Sequence, residues 1–122
     1  MCFNMVYNPY HCVPSFIAAA LILLLFFKFS RQNHKVLSIT IVVLGILGLI
    51  GYISAGRFRF FPLDLFTVHA WTGLMTFLLS VYLLANGIAL HKRHCYMGRI
   101  ILALVAIALF TGLMLFFGLT FQ

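Results

Sequence analysis

Four long apolar stretches, at about residues 13–29, 36–55, 64–90 and 98–121, take up most of this 122-residue chain. Each is near or above the ~20 residues needed to cross a hydrocarbon core of ~30 Å at ~1.5 Å per residue. Helices satisfy their own backbone polar groups in lipid, so the expected fold class is an all-α integral membrane protein. The breaks between the stretches are short and basic: residues 30–35, residues 56–63 with Pro62, and residues 91–97. Connections of that length make neighbouring helices antiparallel, which predicts a single four-transmembrane up-down helix bundle over residues 1–122. Only 7% of the residues are charged, against about a quarter in soluble domains, and no length is left over for an extramembrane catalytic domain.

A net charge of +7 suggests nucleic acid in a soluble protein, but here the basic residues fall in the breaks and at helix ends, and nucleic acid is excluded as a partner. Lys28, Arg31 and Lys35 flank the first break and Lys92, Arg93 and Arg99 the third, against Arg57 and Arg59 at the second. The positive-inside rule then places the first and third breaks in the cytoplasm and both termini on the outer side. No basic residue precedes the first apolar run, the reverse of the order in a cleaved signal peptide, so the segment reads as a retained helix. Of the three cysteines, Cys2 and Cys12 fall outside, where a disulfide can form, and Cys95 inside as a free thiol.

The sole acid, Asp64, opens the third helix. One reading is a helix-start residue favoured by the dipole and paired with Arg57 or Arg59; the other is a proton-exchanging group at a quinol site. Gly45, Gly48 and Gly51 recur at every third position of the second helix and let a neighbour approach closely. On the third helix His69, Thr76, Ser80 and Gly87 form a stripe that faces protein, with Gly73 and His91 at its edge. That stripe reads as a seam of small residues joined by weak interhelical hydrogen bonds, in which Gly73 also leaves space for a flat cofactor one turn after His69.

Five histidines are the informative residues in so apolar a chain. His11, His34, His69 and His94 each lie at or just before the start of one helix. Because successive helices alternate in direction, His11 and His69 fall near the outer face and His34 and His94 near the inner face. Two neutral imidazoles facing each other across a bundle can ligate one haem iron axially, so the arrangement offers an outer and an inner site. The third and fourth helices also open alike, as His69-Ala-Trp-Thr-Gly73 and His94-Cys-Tyr-Met-Gly98. Gly73 and Gly98 let a ring edge pass, and Arg57 and Arg59 outside, or Lys92, Arg93 and Arg99 inside, can pair with propionates. Taken singly, an interfacial histidine can equally be a solvated side chain; His69, about five residues into its helix, is the deepest. His91 is the alternative inner ligand to His94. His91, His94 and Cys95 could instead bind a transition metal, although Lys92 and Arg93 repel cations there. From His69 to Leu90 the helix rises about 32 Å, which sets the two sites far apart.

The stretch from Val68 to Gly98 resembles the last two core helices of the ascorbate-reducible transmembrane di-haem cytochromes, the cytochrome b five-six-one family. A His-Ser-Trp-Leu-Gly and a later His-x-aromatic-x-Gly recur there, and His69-Ala-Trp-Thr-Gly73 and His94-Cys-Tyr-Met-Gly98 are similar to them. The His11 and His34 helices take the places of that family's first two core helices, with Pro62 in the connection to the third. The resemblance implies a four-helix core with two haem b groups, one held between the first and third helices and one between the second and fourth. A single haem is the reduced form of that expectation. It covers the core alone, and no ascorbate motif stands out, so the electron donor stays open.

The leading expectation is a small membrane b-type cytochrome that passes electrons between a quinol or small reductant and a partner protein, as a subunit of a larger redox complex. The alternative is a haem-free accessory subunit of a respiratory or photosynthetic membrane complex, packed through its glycine face and aromatic surface. A transporter ranks third, since one acid and no pair of broken helices leave little for ion coupling.

Overall fold

A computed structural model describes residues 8–25, 31–56, 61–87 and 93–118 of the chain. Among these residues there are four helices and no strand: α1 (Pro9–Leu24), α2 (Arg31–Ser54), α3 (Leu65–Asn86) and α4 (His94–Phe116). Three of them begin four or five residues earlier than the apolar stretches suggest, because their first turns are polar. In α1 the cause is local: the Asn8 side chain accepts from the Tyr10 amide at 3.1 Å, and Pro9 occupies the first helical position, where its missing N–H costs nothing.

A capping box fixes the start of α3. The Asp64 carboxylate accepts from the Thr67 amide at 2.9 Å, and the Thr67 hydroxyl oxygen accepts from the Asp64 amide at 2.8 Å. Thr67 is fully buried and also donates to the Pro62 carbonyl at 2.9 Å, which ties the connection to the helix. Asp64 is thus the helix-start residue of the first reading; Arg57 and Arg59 lie outside the described residues. Beyond the last turns of α2 and α4, Gly56 and Gly118 take φ of +66° and +68°, left-handed values that glycine adopts without strain.

Helix α1 packs along α2 and α3 along α4, with lighter contact between α2 and α3 and between α1 and α4. The result is two hairpins side by side, with the diagonal helices standing apart. Asn8 Nδ2 donates to the Gly51 carbonyl at 2.8 Å, so α1 starts where α2 ends and the hairpin is antiparallel. Glycine permits this approach. A Cβ at Gly48 would strike Ser15 Oγ, and one at Gly51 would strike the Tyr10 carbonyl and lie 2.8 Å from the His11 amide nitrogen.

The buried centre is small, with Ile22, Ile41, Ile101 and Val105 packed against Ala19, Leu79, Leu83 and Leu109. Large apolar side chains such as Phe16, Ile50 and Phe110 face outward. Helices α2, α3 and α4 are long and apolar enough to cross a membrane, whereas α1 has 16 residues and is shorter.

Candidate paired-imidazole sites

Four histidines project from four helices and meet in two pairs. His11 of α1 lies against His69 of α3, with ring centroids 6.1 Å apart and planes at 87°. His34 of α2 lies against His94 of α4, with centroids 5.7 Å apart and planes at 62°. Each pair spans a diagonal of the bundle, so each joins one hairpin to the other. Two imidazoles bound to opposite sides of one metal, at bonds of about 2.0–2.1 Å, place their ring centroids about 6.2–6.6 Å apart. The His11–His69 rings, at 6.1 Å, stand close to that spacing, and the His34–His94 rings, at 5.7 Å, lie inside it.

The His11–His69 pair, the outer one of the sequence-based expectation, is held by the backbones of the partner helices. His11 Nδ1 donates to the Gly48 carbonyl at 2.9 Å, and His69 Nδ1 donates to the Ala108 carbonyl at 2.9 Å. A carbonyl can only accept, so both rings carry their proton on Nδ1 and keep Nε2 for a ligand. Ser15 Oγ stands 3.5 Å from His11 Nδ1 and Thr111 Oγ1 stands 3.3 Å from His69 Nδ1. The Tyr52 ring lies 5.3 Å from His11, and Phe66 lies 6.1 Å from Tyr52, which gives that side an aromatic wall. In the other pair, the His94 ring lies beside Gly87 at the end of α3, where a Cβ would meet its Nδ1 at 3.6 Å, an ordinary packing distance.

The hairpins repeat one arrangement. In each, the first helix carries an outer histidine whose Nδ1 bonds to a carbonyl of the second helix. That acceptor, Gly48 or Ala108, lies about four turns beyond the second helix's own histidine, His34 or His94. At 1.5 Å per residue both helices place the two histidine levels about 21 Å apart. This is shorter than the rise of about 32 Å from His69 to Leu90, because His94 meets α3 at Gly87, before Leu90.

The remaining expected site residues divide by place. Gly73 is exposed, and a Cβ there would meet no heavy atom within 4 Å, so space is open beside His69. Gly98 follows His94 by one turn on α4, while Arg93 and Arg99 are exposed near the same end, as is Lys35. His91, Lys92, Arg57, Arg59 and Cys2 lie outside the described residues, and with them the alternative inner ligand and the Cys2–Cys12 disulfide. Cys12 and Cys95 form no disulfide among the described residues. No cluster of three or more metal-ligating side chains occurs among the described residues.

Within the α3 stripe, His69 bonds across to the Ala108 carbonyl of α4, whereas the Thr76 and Ser80 hydroxyls donate to carbonyls of their own helix, each at 2.8 Å. A hydroxyl in an apolar helix is satisfied most cheaply four residues back. Sequence reasoning also passed over Thr111 and Gly112, whose polar-small pairing in the otherwise apolar second half of α4 was the available signal. Backbone acceptors such as the Ala108 carbonyl leave no mark in a sequence.

Comparison with protein-family models, with curated proteins and with solved structures finds no match for this chain.

Proposed function

We propose that the protein is a small four-span b-type cytochrome of the membrane, with one haem held by His11 and His69 near the outer surface and a second by His34 and His94 near the inner surface. The observation that carries this reading is the recurrence, at two depths, of imidazole pairs drawn from opposite hairpins with centroids 6.1 and 5.7 Å apart. A haem with two imidazole ligands supplies one-electron transfer without an open coordination position. The chain's own residues do the rest: Nδ1–H bonds fix the outer rings, Gly73 leaves a ring edge its space, and Arg93 and Arg99 offer charge to propionates at the inner end.

The charge distribution supports the orientation. Lys35, Arg93 and Arg99 all belong to the end that holds His34 and His94, as the positive-inside rule requires of a cytoplasmic face. Both termini are then outside, and lipid surrounds the outward apolar side chains. The electron partners are a quinol or small reductant on one side and a protein on the other, within a larger redox complex.

Dithionite reduction of the purified protein tests this reading, with sharp visible bands of six-coordinate haem b expected and carbon monoxide without effect. A colourless protein from haem-replete cells overturns it in favour of a haem-free accessory subunit. Rapid carbon monoxide binding means that one ligand of a pair is wrong.

A further inference from the structure

Each ring of the His11–His69 pair has a carbonyl and a hydroxyl oxygen beside Nδ1, but the hydroxyl beside His11 is that of Ser15 on its own helix, whereas the one beside His69 comes from α4. His69 Nδ1 faces two α4 acceptors one turn apart: the Ala108 carbonyl at 2.9 Å and Thr111 Oγ1 at 3.3 Å. Thr111 is 5% exposed, and its own hydroxyl hydrogen is directed back along α4, with the Ile107 carbonyl at 2.8 Å and the Ala108 carbonyl at 3.2 Å. An oxygen whose hydrogen is committed elsewhere presents lone pairs to the imidazole, which reinforces the proton on Nδ1. The next residue, Gly112, leaves room for the Cε1–Nδ1 edge of the ring. A Cβ there would stand 2.9 Å from His69 Cε1 and 3.3 Å from Nδ1, closer than carbon atoms pack.

We propose that Thr111 and Gly112 are positioning residues for His69: Thr111 holds the ring in its Nδ1–H form, and Gly112 sets how closely the ring lies on α4. Together they aim Nε2 at the ligand shared with His11. This assignment rests on the paired-imidazole reading for its effect on haem, but the cradle itself is a property of the chain's own residues.

The test uses three full-length variants: Thr111→Val, which keeps the shape and loses the oxygen; Thr111→Ser, which restores the oxygen; and Gly112→Ala, which adds the Cβ. Outer-shell partners of metal-bound histidine change affinity by about 10–100-fold, so Thr111→Val is expected to weaken outer-site haem retention by about 10-fold and Gly112→Ala by about 10–100-fold. The inner site keeps its haem, the low-spin EPR signal of the outer site shifts in both variants, and Thr111→Ser restores it. An outer signal and retention unchanged in both Thr111→Val and Gly112→Ala overturn the assignment.

Histidine ¹⁵N resonances separate this outcome from failure of the haem reading. If the wild-type chain carries no haem, the cytochrome reading falls, and the cradle is judged on His69 alone. Its Nδ1 and Nε2 shifts then move in Thr111→Val and Gly112→Ala while those of His34 stay fixed; a His69 that does not move sinks the cradle.

Discussion

The two ends of the bundle hold their histidines differently. At the outer end both rings bond to carbonyls of the neighbouring helix at 2.9 Å, glycines bring α1 against α2, and a capping box anchors the start of α3. At the inner end the rings stand closer, at 5.7 Å, yet no hydrogen bond to the His34 ring is found among the described residues. The His11–His69 pair is thus oriented by carbonyls of the chain itself. A hydrogen bond on the far side of a ring fixes its orientation, and the Gly48 and Ala108 carbonyls do this for His11 and His69.

The largest expected effect comes from removing a ligand, and it asks whether the ends are independent. His69→Ala should abolish the outer haem or leave it five-coordinate while sparing the inner one, because a methyl group cannot remake an axial bond; His94→Ala should do the converse. Haem content and carbon monoxide reactivity of each variant read this out. Full haem content in both His11→Ala and His34→Ala would refute the self-contained pairs and place the ligands on another subunit.

Packing at the outer end gives the next effect. Gly51→Ala meets the Tyr10 backbone and the His11 amide, which cannot swing aside, so overpacking should cost about 1–3 kcal/mol in thermal or denaturant unfolding. Gly45→Ala is the control at mid-depth, where the obstacle is the Phe77 ring and the side chain can give. Equal losses in the two variants would show that the outer end is no tighter than the middle.

A smaller effect of opposite sign is expected at Gly73. Leucine there meets open space and removes a glycine from a helix interior, which favours the helix by roughly 0.5–1 kcal/mol. The same side chain fills the volume beside His69, so Gly73→Leu should lower outer-haem occupancy without loss of stability. Unchanged occupancy would mean that no flat group lies over residue 73.

Much of the architecture is legible in the sequence because it follows from length and hydrophobicity. Four apolar stretches joined by short breaks yield antiparallel helices, and alternation of direction alone brings His11 to the level of His69 and His34 to that of His94. The polar first turns were not legible in this way: Pro9, Tyr10 and His11 are helical because Asn8 caps them, a local effect that hydropathy does not register. The spacing of the two levels is not legible either, since it depends on which turn of a neighbouring helix each histidine meets. The clamps were hidden most completely. Gly48 is recognisable as a packing residue, but its carbonyl as the acceptor for His11 depends on the register between α1 and α2, which only the folded hairpin defines.

The paired-imidazole sites have one most direct test, the EPR spectrum of the oxidised protein. Near-perpendicular imidazole planes leave the iron d orbitals nearly degenerate and produce a strongly anisotropic low-spin signal. With planes at 87° outside and 62° inside, two such signals are expected in equal amounts, the outer one lost in His69→Ala and the inner one in His94→Ala. A spectrum that is high-spin, or empty of iron, would contradict the claim that each pair binds one haem.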